Sequence, residues 1–389
     1  MFHNKKNILF IGHDASRTGA PIVLLNFLNW LKNENRYKIF IFLKHGGAME
    51  NDFRNIGETH IYVPINGPLV QRIYNRLTSR TSPVRHYPLP SVLLKQKFDL
   101  VYLNTVVCID MAPYLKKTFN CPVICHVHEN NFTIQYYYQE YIKKNNLQNI
   151  DHFIAVSNGI RNNLAEHYGI TPQKISLVHA FISVKTIMRH SQSKDEIRKE
   201  LSLTDEFIVG GSGVTIWRKG VDLFVQLAST LNELRPNNNV KLVWIGDVTR
   251  EFKCQYNYEA TKFDTTNQII FTGVKAVPQN YFQLFDVFAL TSREESFGLV
   301  AIEAAILNKP VLCFNDSGGI MPELIENEKN GIIIPYGDVK EMAKKILELM
   351  DDNNKRIKMG EEACKLIENF DVDIAGKQIV QLIDQLIQS

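Results

Sequence analysis

No apolar run in this chain approaches the roughly 18–20 residues that a bilayer-spanning helix needs. No cysteine pair shows CxxC spacing, and Cys108, Cys121, Cys125, Cys254, Cys313 and Cys364 stand at no metal-ligand interval. Most lie in apolar segments and read as reduced core thiols. There is no P-loop. Gly210-Gly-Ser-Gly213 does not continue as GxGxxG, which gives a dinucleotide fingerprint no support. Asp371-Val-Asp373 has the letters of an Asp-x-Asp metal motif but opens the last helical stretch, so it reads as helix-start acid. A zinc reading of His126 and His128 lacks a third ligand at fixed spacing nearby. An excess of either charge is also lacking. The net charge of +3 is too small to argue for nucleic acid. No repeat and no low-complexity tract interrupts the chain. The first apolar stretch, Ile8 to Ile11, is too short for a signal-peptide core and has no cleavage site behind it. The expectation is a cytoplasmic protein, with the inner face of the cytoplasmic membrane as its outer limit.

What is present is alternation. Short apolar strands recur between longer helical patterns, the mark of parallel α/β sheets. The strands of the first half are expected at Ile8–Gly12, Lys38–Leu43, Thr59–Val63, Leu100–Asn104, Val123–His128, Phe153–Ser157 and Ile175–His179. Those of the second are expected at Phe207–Gly211, Lys241–Gly246, Gln268–Thr272, Val287–Thr291, Pro310–Phe314 and Gly331–Pro335. A chain of 389 residues is long for one core. Two domains are expected, 1–183 and 207–370, with a polar linker at 184–206 and a final helix over 371–389. Many strands end in Gly, Asp, Asn, Ser or His, and in open α/β sheets ligands bind at the carboxyl ends of strands.

The most telling segment is Thr291 to Ala305. Seven residues separate Glu295 from Glu303 there. Ser296-Phe297-Gly298 reads as a tight loop, and Leu299 to Leu307 as a helix without Gly or Pro. Glu295 sits just before the helix N-terminus. Glu303 lies more than one turn inside, among Val300, Ala301, Ile302, Ala304, Ala305 and Ile306. A lone carboxylate in such surroundings is costly unless something hydrogen-bonds it, and ligand hydroxyls suit that role. The helix start suits a phosphate. Each glutamate alone also fits a plainer role, Glu295 as a helix-start acid and Glu303 as the partner of a core cation.

Taken whole, this Glu-x7-Glu segment resembles glycosyltransferase family 4, whose members are retaining enzymes of the GT-B fold. The resemblance implies an α/β architecture of two Rossmann-like parallel-sheet domains facing an interdomain cleft. It places the first domain at the acceptor, the second at the nucleotide sugar, and the last helix back across the first domain. It implies that Glu295 meets donor-sugar hydroxyls and Glu303 the ribose, with Phe297, Gly298 and Leu299 offering loop amides to sugar and diphosphate.

Other segments extend the resemblance. Ser16-Arg-Thr-Gly-Ala-Pro21 follows the first strand and precedes a helix expected over Ile22 to Leu31. Gly19 and Ala20 stand where the family carries a Gly-rich phosphate loop, commonly Gly-Gly, and read alone they also fit an ordinary turn. Trp217-Arg-Lys-Gly220 opens a second-domain helix. A cation beside a helix start is unfavourable until an anion lies between them. Lys219 matches the family's phosphate lysine. The family favours an Arg about five residues earlier, where this chain has Val214, and Arg218 is the available substitute. His128 matches a strand-end histidine that meets the donor sugar. His126 reads as a sheet residue. Thr272 and Val274 flank a turn that lines the nucleobase in the family. Ser317-Gly-Gly319, before Pro322-Glu323, resembles a turn that shapes the donor pocket. The stretch Pro68 to Lys97 holds Arg72, Arg76 and Arg80, and no acid lies between Glu58 and Asp99. It reads either as a solvated helix or as a basic surface for a lipid-linked acceptor or membrane contact.

The resemblance implies a metal-independent retaining hexosyltransferase without a cofactor. Its partners would be a nucleoside-diphosphate sugar and a glycan or lipid-linked acceptor, in a surface polysaccharide pathway such as O-antigen or capsule. Two alternatives stay open: a nucleotide-sugar 2-epimerase, and a GT-B scaffold that binds glycan or nucleotide without turnover.

Overall fold

The computed structural model describes residues 5–63, 87–189 and 191–388. Among the described residues thirteen strands form two parallel sheets. The first is ordered β3-β2-β1-β4-β5-β6-β7: β1 Lys6–Gly12, β2 Tyr37–Leu43, β3 Glu58–Ile61, β4 Leu100–Asn104, β5 Val123–Val127, β6 His152–Ala155 and β7 Ile175–Leu177. The second is ordered β10-β9-β8-β11-β12-β13: β8 Phe207–Ser212, β9 Val240–Ile245, β10 Ile269–Phe271, β11 Val287–Leu290, β12 Val311–Phe314 and β13 Ile332–Ile334. The fold class read from the alternation holds. The central strands are apolar without a break because helices cover both faces of a parallel sheet. Ile8, Leu9, Phe10 and Ile11 of β1 are all fully buried, a run that a half-exposed sheet would have alternated with polar residues.

The chain divides into two units, 1–180 with 372–389, and 181–371. The stretch 184–206 holds two short helices, Val184–Ile187 and Lys194–Glu200, and belongs to the second unit. The second helix carries a capping box from Ser193 and Glu196. The final helix, Val372–Gln388, belongs to the first unit and packs on the helix Gly19–Glu34. Gly376 makes that approach close: a Cβ there would meet the Trp30 ring at 2.6 Å. Arg36 and Tyr37 hold Asp384 of the same helix.

In each sheet the order reverses once, between β1 and β4 and between β8 and β11. Strand ends at such a reversal splay apart and leave a crevice for ligands. Among the described residues, no helix is long and apolar enough to cross a membrane.

Candidate functional site

In the second unit the Lys219 turn and the Glu295 segment meet at the β8/β11 crevice, whereas Thr272 and Val274 follow the edge strand β10. Lys219 ends a short turn, Trp217–Lys219, before the helix Val221–Leu234. Its Nζ lies 2.5 Å from Glu295 Oε1, and the two side chains are 13% and 4% exposed. Ser292 Oγ donates to the same oxygen at 2.6 Å. Burial lifts the Glu295 carboxyl, but Lys219, then Arg218 and Ser292, more than offset it and hold the group below its ordinary range. Burial lowers Lys219, against the pull of Glu295. The stem of Lys219 rests over Gly213, whose carbonyl is held by Trp244 Nε1 at 2.9 Å.

The backbone allows this only at glycine. Gly220 has φ +61°, and a Cβ on it would lie 1.9 Å from the Thr291 carbonyl. The turn thus touches the end of β11, and Arg218 O accepts from the amides of Arg293 and Glu294 at 2.8 and 3.2 Å. Arg293 locks the corner. Its guanidinium grips Asp222 through two bonds of 2.8 and 2.6 Å and donates to Trp217 O at 2.8 Å. Such a forked pair fixes direction as well as charge.

The helix Leu299–Ile306 starts from Gly298, φ +92°, with no side-chain cap. Ala301, Ile302, Ala304, Ala305 and Ile306 are buried, while Glu303 is half-buried. Among the described residues Glu303 has no hydrogen bond or ion pair, and burial raises its carboxyl to about 7. The Phe297 side chain is buried and packs on Phe370 at 5.7 Å between ring centres. Phe297 can therefore offer a ligand backbone rather than its ring. The Ser317–Gly319 turn backs the loop: Ser317 O accepts from the Glu295 amide at 2.7 Å, and Ile320 donates to Phe297 O at 2.9 Å. Thr272 follows β10 with its hydroxyl on Trp244 O, and Val274 is exposed.

In the first unit Gly19 and Ala20 lie inside the first turn of the helix Gly19–Glu34, three residues earlier than expected. That helix also starts with no side-chain cap. By contrast the helices at Asn158, Lys194, Arg250 and Val339 are capped by Ser157, Ser193, Thr249 and Asp338. An uncapped start leaves amides for solvent or an anion. The helices at Gly19, Val221 and Leu299, each following an expected phosphate turn, are uncapped, as are others such as those at Ala112 and Val184, so the missing cap permits an anion there without singling these helices out. His128 follows β5, and its Nε2 pairs with Asn104 Oδ1 at 3.1 Å. Burial, then His126 and His13, hold His128 well below its ordinary range. His126 is a buried sheet residue, bonded to Tyr102 at 2.7 Å and depressed by burial to about 3. The basic segment with Arg72, Arg76 and Arg80 lies outside the described residues.

Sequence reasoning missed Ser292, Arg293, Asp222 and Asn104. Ser292 and Arg293 stand within the motif segment itself. Asn104 ends an apolar strand, a place where polar residues face ligands.

Two family models match the chain: "Glycosyltransferase Family 4" over residues 18–186 and "Glycosyl transferases group 1" over 193–366. The capsular polysaccharide biosynthesis glycosyltransferase CapM of Staphylococcus aureus is 27% identical over 56% of this chain and 56% of its own length. Spore coat protein SA of Bacillus subtilis is 27% identical over 71% of this chain and 75% of its own. The match to the first relatives thus spans little more than half of their length. Among solved structures, Anabaena Alr3699/HepE in complex with UDP-glucose superposes with a TM-score of 0.81 at 20% identity, covering 98% of this chain and all of that one.

Proposed function

We propose that this chain, which belongs to glycosyltransferase family 4 and has the GT-B fold, moves a sugar from a nucleoside diphosphate to a glycan or lipid-linked acceptor hydroxyl with the anomeric configuration kept. The observation that carries the reading is the β11 corner. A carboxylate clamped by Lys219 and Ser292 precedes an uncapped helix start, and Glu303 stands beyond it with no partner among the described residues.

The roles follow from the chemistry. Glu303 accepts the ribose hydroxyls, which supply the partners that the protein withholds. The Leu299 and Val221 helix starts, with Lys219 and Arg218, take the diphosphate and stabilise its charge as it departs. Gly19 and Ala20 add the amides of the first-unit helix. Glu295 and His128 orient the sugar. Phe297, Gly298 and Leu299 contribute backbone amides, and Thr272 and Val274 line the base. The protein supplies positioning and electrostatics rather than a nucleophile. No metal is needed, since cations of the chain itself meet the diphosphate. Uridine is the first base to test, because the Anabaena neighbour binds UDP-glucose. The name of the staphylococcal relative supports a surface polysaccharide pathway such as capsule or O-antigen. Arg72, Arg76 and Arg80 are proposed to face a lipid-linked acceptor at the inner membrane surface.

The test is a calorimetric screen of nucleoside diphosphates and their sugars, with Glu303→Ala as control, followed by NMR of the anomeric linkage formed on an acceptor in the presence of a chelator. One nucleotide bound by the wild type and lost in the variant, with retained configuration, is the expected result. No nucleotide binding would sink the reading. Binding without transfer to any acceptor would favour a scaffold, and epimerised free donor an epimerase.

A further inference from the structure

Asn104 ends β4 at the reversal of the first sheet, and it is 1% exposed. Its amide makes two bonds of opposite sense. Nδ2 donates to the Ala20 carbonyl at 3.1 Å, and Oδ1 faces His128 Nε2 at 3.1 Å. A backbone carbonyl only accepts, so Ala20 fixes which end of the amide turns toward His128. The amide oxygen also only accepts, so the proton of the neutral imidazole sits on Nε2. Nδ1 is then a bare acceptor. Among the described residues it has no hydrogen-bond partner, and the His128 side chain is partly open to solvent.

The backbone around Asn104 is built to hold this arrangement. Thr105 follows with φ +94° and ψ 156°, a region that a β-branched residue adopts only when its surroundings impose it. Its amide is bound to His126 O at 2.8 Å. Its hydroxyl accepts from the Val107 amide at 3.2 Å. The buried Glu129 carboxylate accepts from the amides of Val106 at 3.2 Å and His128 at 3.1 Å. One carboxylate thereby fastens the segment after β4 to the residue after β5.

We infer that Asn104 is a positioning residue: it locks His128 as the Nε2–H tautomer, presents bare Nδ1 to a ligand hydroxyl, and ties that nitrogen to the start of the Gly19 helix through Ala20. The ligand class is a polyhydroxyl compound, and its identification with the donor sugar rests on the function proposed above. The tautomer itself does not. Burial first, then His126 beside it and His13 after β1, disfavour a charged His128, and Glu129 touches it at the amide. The ring therefore stays neutral across the pH range where an unperturbed histidine titrates.

The experiment needs no ligand. Nitrogen NMR of histidine-labelled full-length protein reads which ring nitrogen carries the proton, and His128→Gln assigns the signal. Wild type is expected to show one protonated nitrogen, Nε2, unchanged between pH 5 and 8. Asn104→Ala is expected to lose that preference and mix the two tautomers. Asn104→Asp keeps an acceptor but adds a charge, so His128 should become doubly protonated at mildly acid pH. An Nδ1–H signal in the wild type would overturn the inference even if neither variant folds. So would an Asn104→Ala spectrum identical to the wild type. Loss of nucleotide binding in the screen above, with the tautomer as expected, would instead count against the proposed function alone.

Discussion

At the reversal of the second sheet the groups proposed to meet the ligand are ionisable: Lys219 and Arg218 as cations, Glu295 as a carboxylate held below its ordinary range, and Glu303 as a carboxyl raised by burial to about 7. At the reversal of the first sheet the histidines and the Asn104 amide are neutral, with one carboxylate, Asp14, 3.5 Å from His13 Nε2. His13, His126 and His128 are all depressed from their ordinary range, burial foremost, and Asn104 carries no charge. The charges nearby in that unit are spent internally. Lys44, buried after β2, binds Asp110 at 2.7 Å and Val107 O at 2.6 Å, and Glu129 binds backbone amides. The two sheets share the same order through six strands, with the next strand added at the edge of the first. The shared topology sets where a ligand meets each unit. Under the proposed function the side chains at the crevice set what it meets: ionisable groups for a nucleoside diphosphate in one unit, neutral acceptors for sugar hydroxyls in the other.

The largest effect should come from removing the cation that defines the charged side. Lys219→Ala leaves Glu295 buried without its ion-pair partner, which typically costs about 3 kcal/mol of stability. It also removes a group proposed to meet the leaving diphosphate, so transfer should fall about 100-fold or more. Single-turnover rates and a denaturant titration read the two losses separately. Equal loss from His128→Gln in pH-dependent transfer would erase the contrast between the units.

The glycines sharpen the same point. Gly220→Ala drives a Cβ into the Thr291 carbonyl at a positive φ, so a loss of about 3 kcal/mol or more is expected in the unfolding midpoint. Gly298→Ala meets nothing within 4 Å, and only its φ of +92° resists, so about 1 kcal/mol is expected. Comparable losses at both sites would show that the contact with β11 is not what holds the turn.

Glu303 should trade stability for binding. Its carboxyl stays protonated in the folded chain up to about 7, whereas an unfolded one ionises near 4.5. Wild type therefore loses stability as pH rises through that window. Glu303→Gln escapes the loss, so at pH 8 it should unfold later than wild type, by at most about 3 kcal/mol. At pH 4 the two should melt alike. A variant less stable than wild type at pH 8 would mean that Glu303 is paired within the protein.

Much of this was legible in the chain. All thirteen strands were found because a parallel sheet covered on both faces writes itself as continuous apolar runs such as Ile8 to Ile11. Glu303 was legible because a carboxylate amid Ala and Ile needs a reason, and Glu295 because it precedes a helix start at the Glu-x7-Glu spacing. The pairings were not. That Lys219 reaches Glu295, that Gly220 touches Thr291 and that Asn104 joins Ala20 to His128 are contacts between segments distant in sequence, and no local period records them. The start of the Gly19 helix was set three residues late because Gly-Ala-Pro suits both a loop and a first helical turn. The segment 184–206 read as a linker from its polarity, yet its helix Lys194–Glu200 buries Ile197 within the second unit. The roles given to individual site residues came from the resemblance, and they rest on the measurements named above.

The most direct measurement is UDP binding by calorimetry across pH, in wild type and Glu303→Gln. Ribose hydroxyls donate to the ionised carboxylate, so wild-type affinity should fall about tenfold for each unit below pH 7 and level off above it. The variant should bind at least about tenfold more weakly at pH 8 and show a shallower slope, the part left by the terminal phosphate of UDP, which itself titrates at about pH 6. Equal affinity of the two proteins at pH 8, with the same pH dependence, would contradict the assignment of Glu303 to the nucleotide.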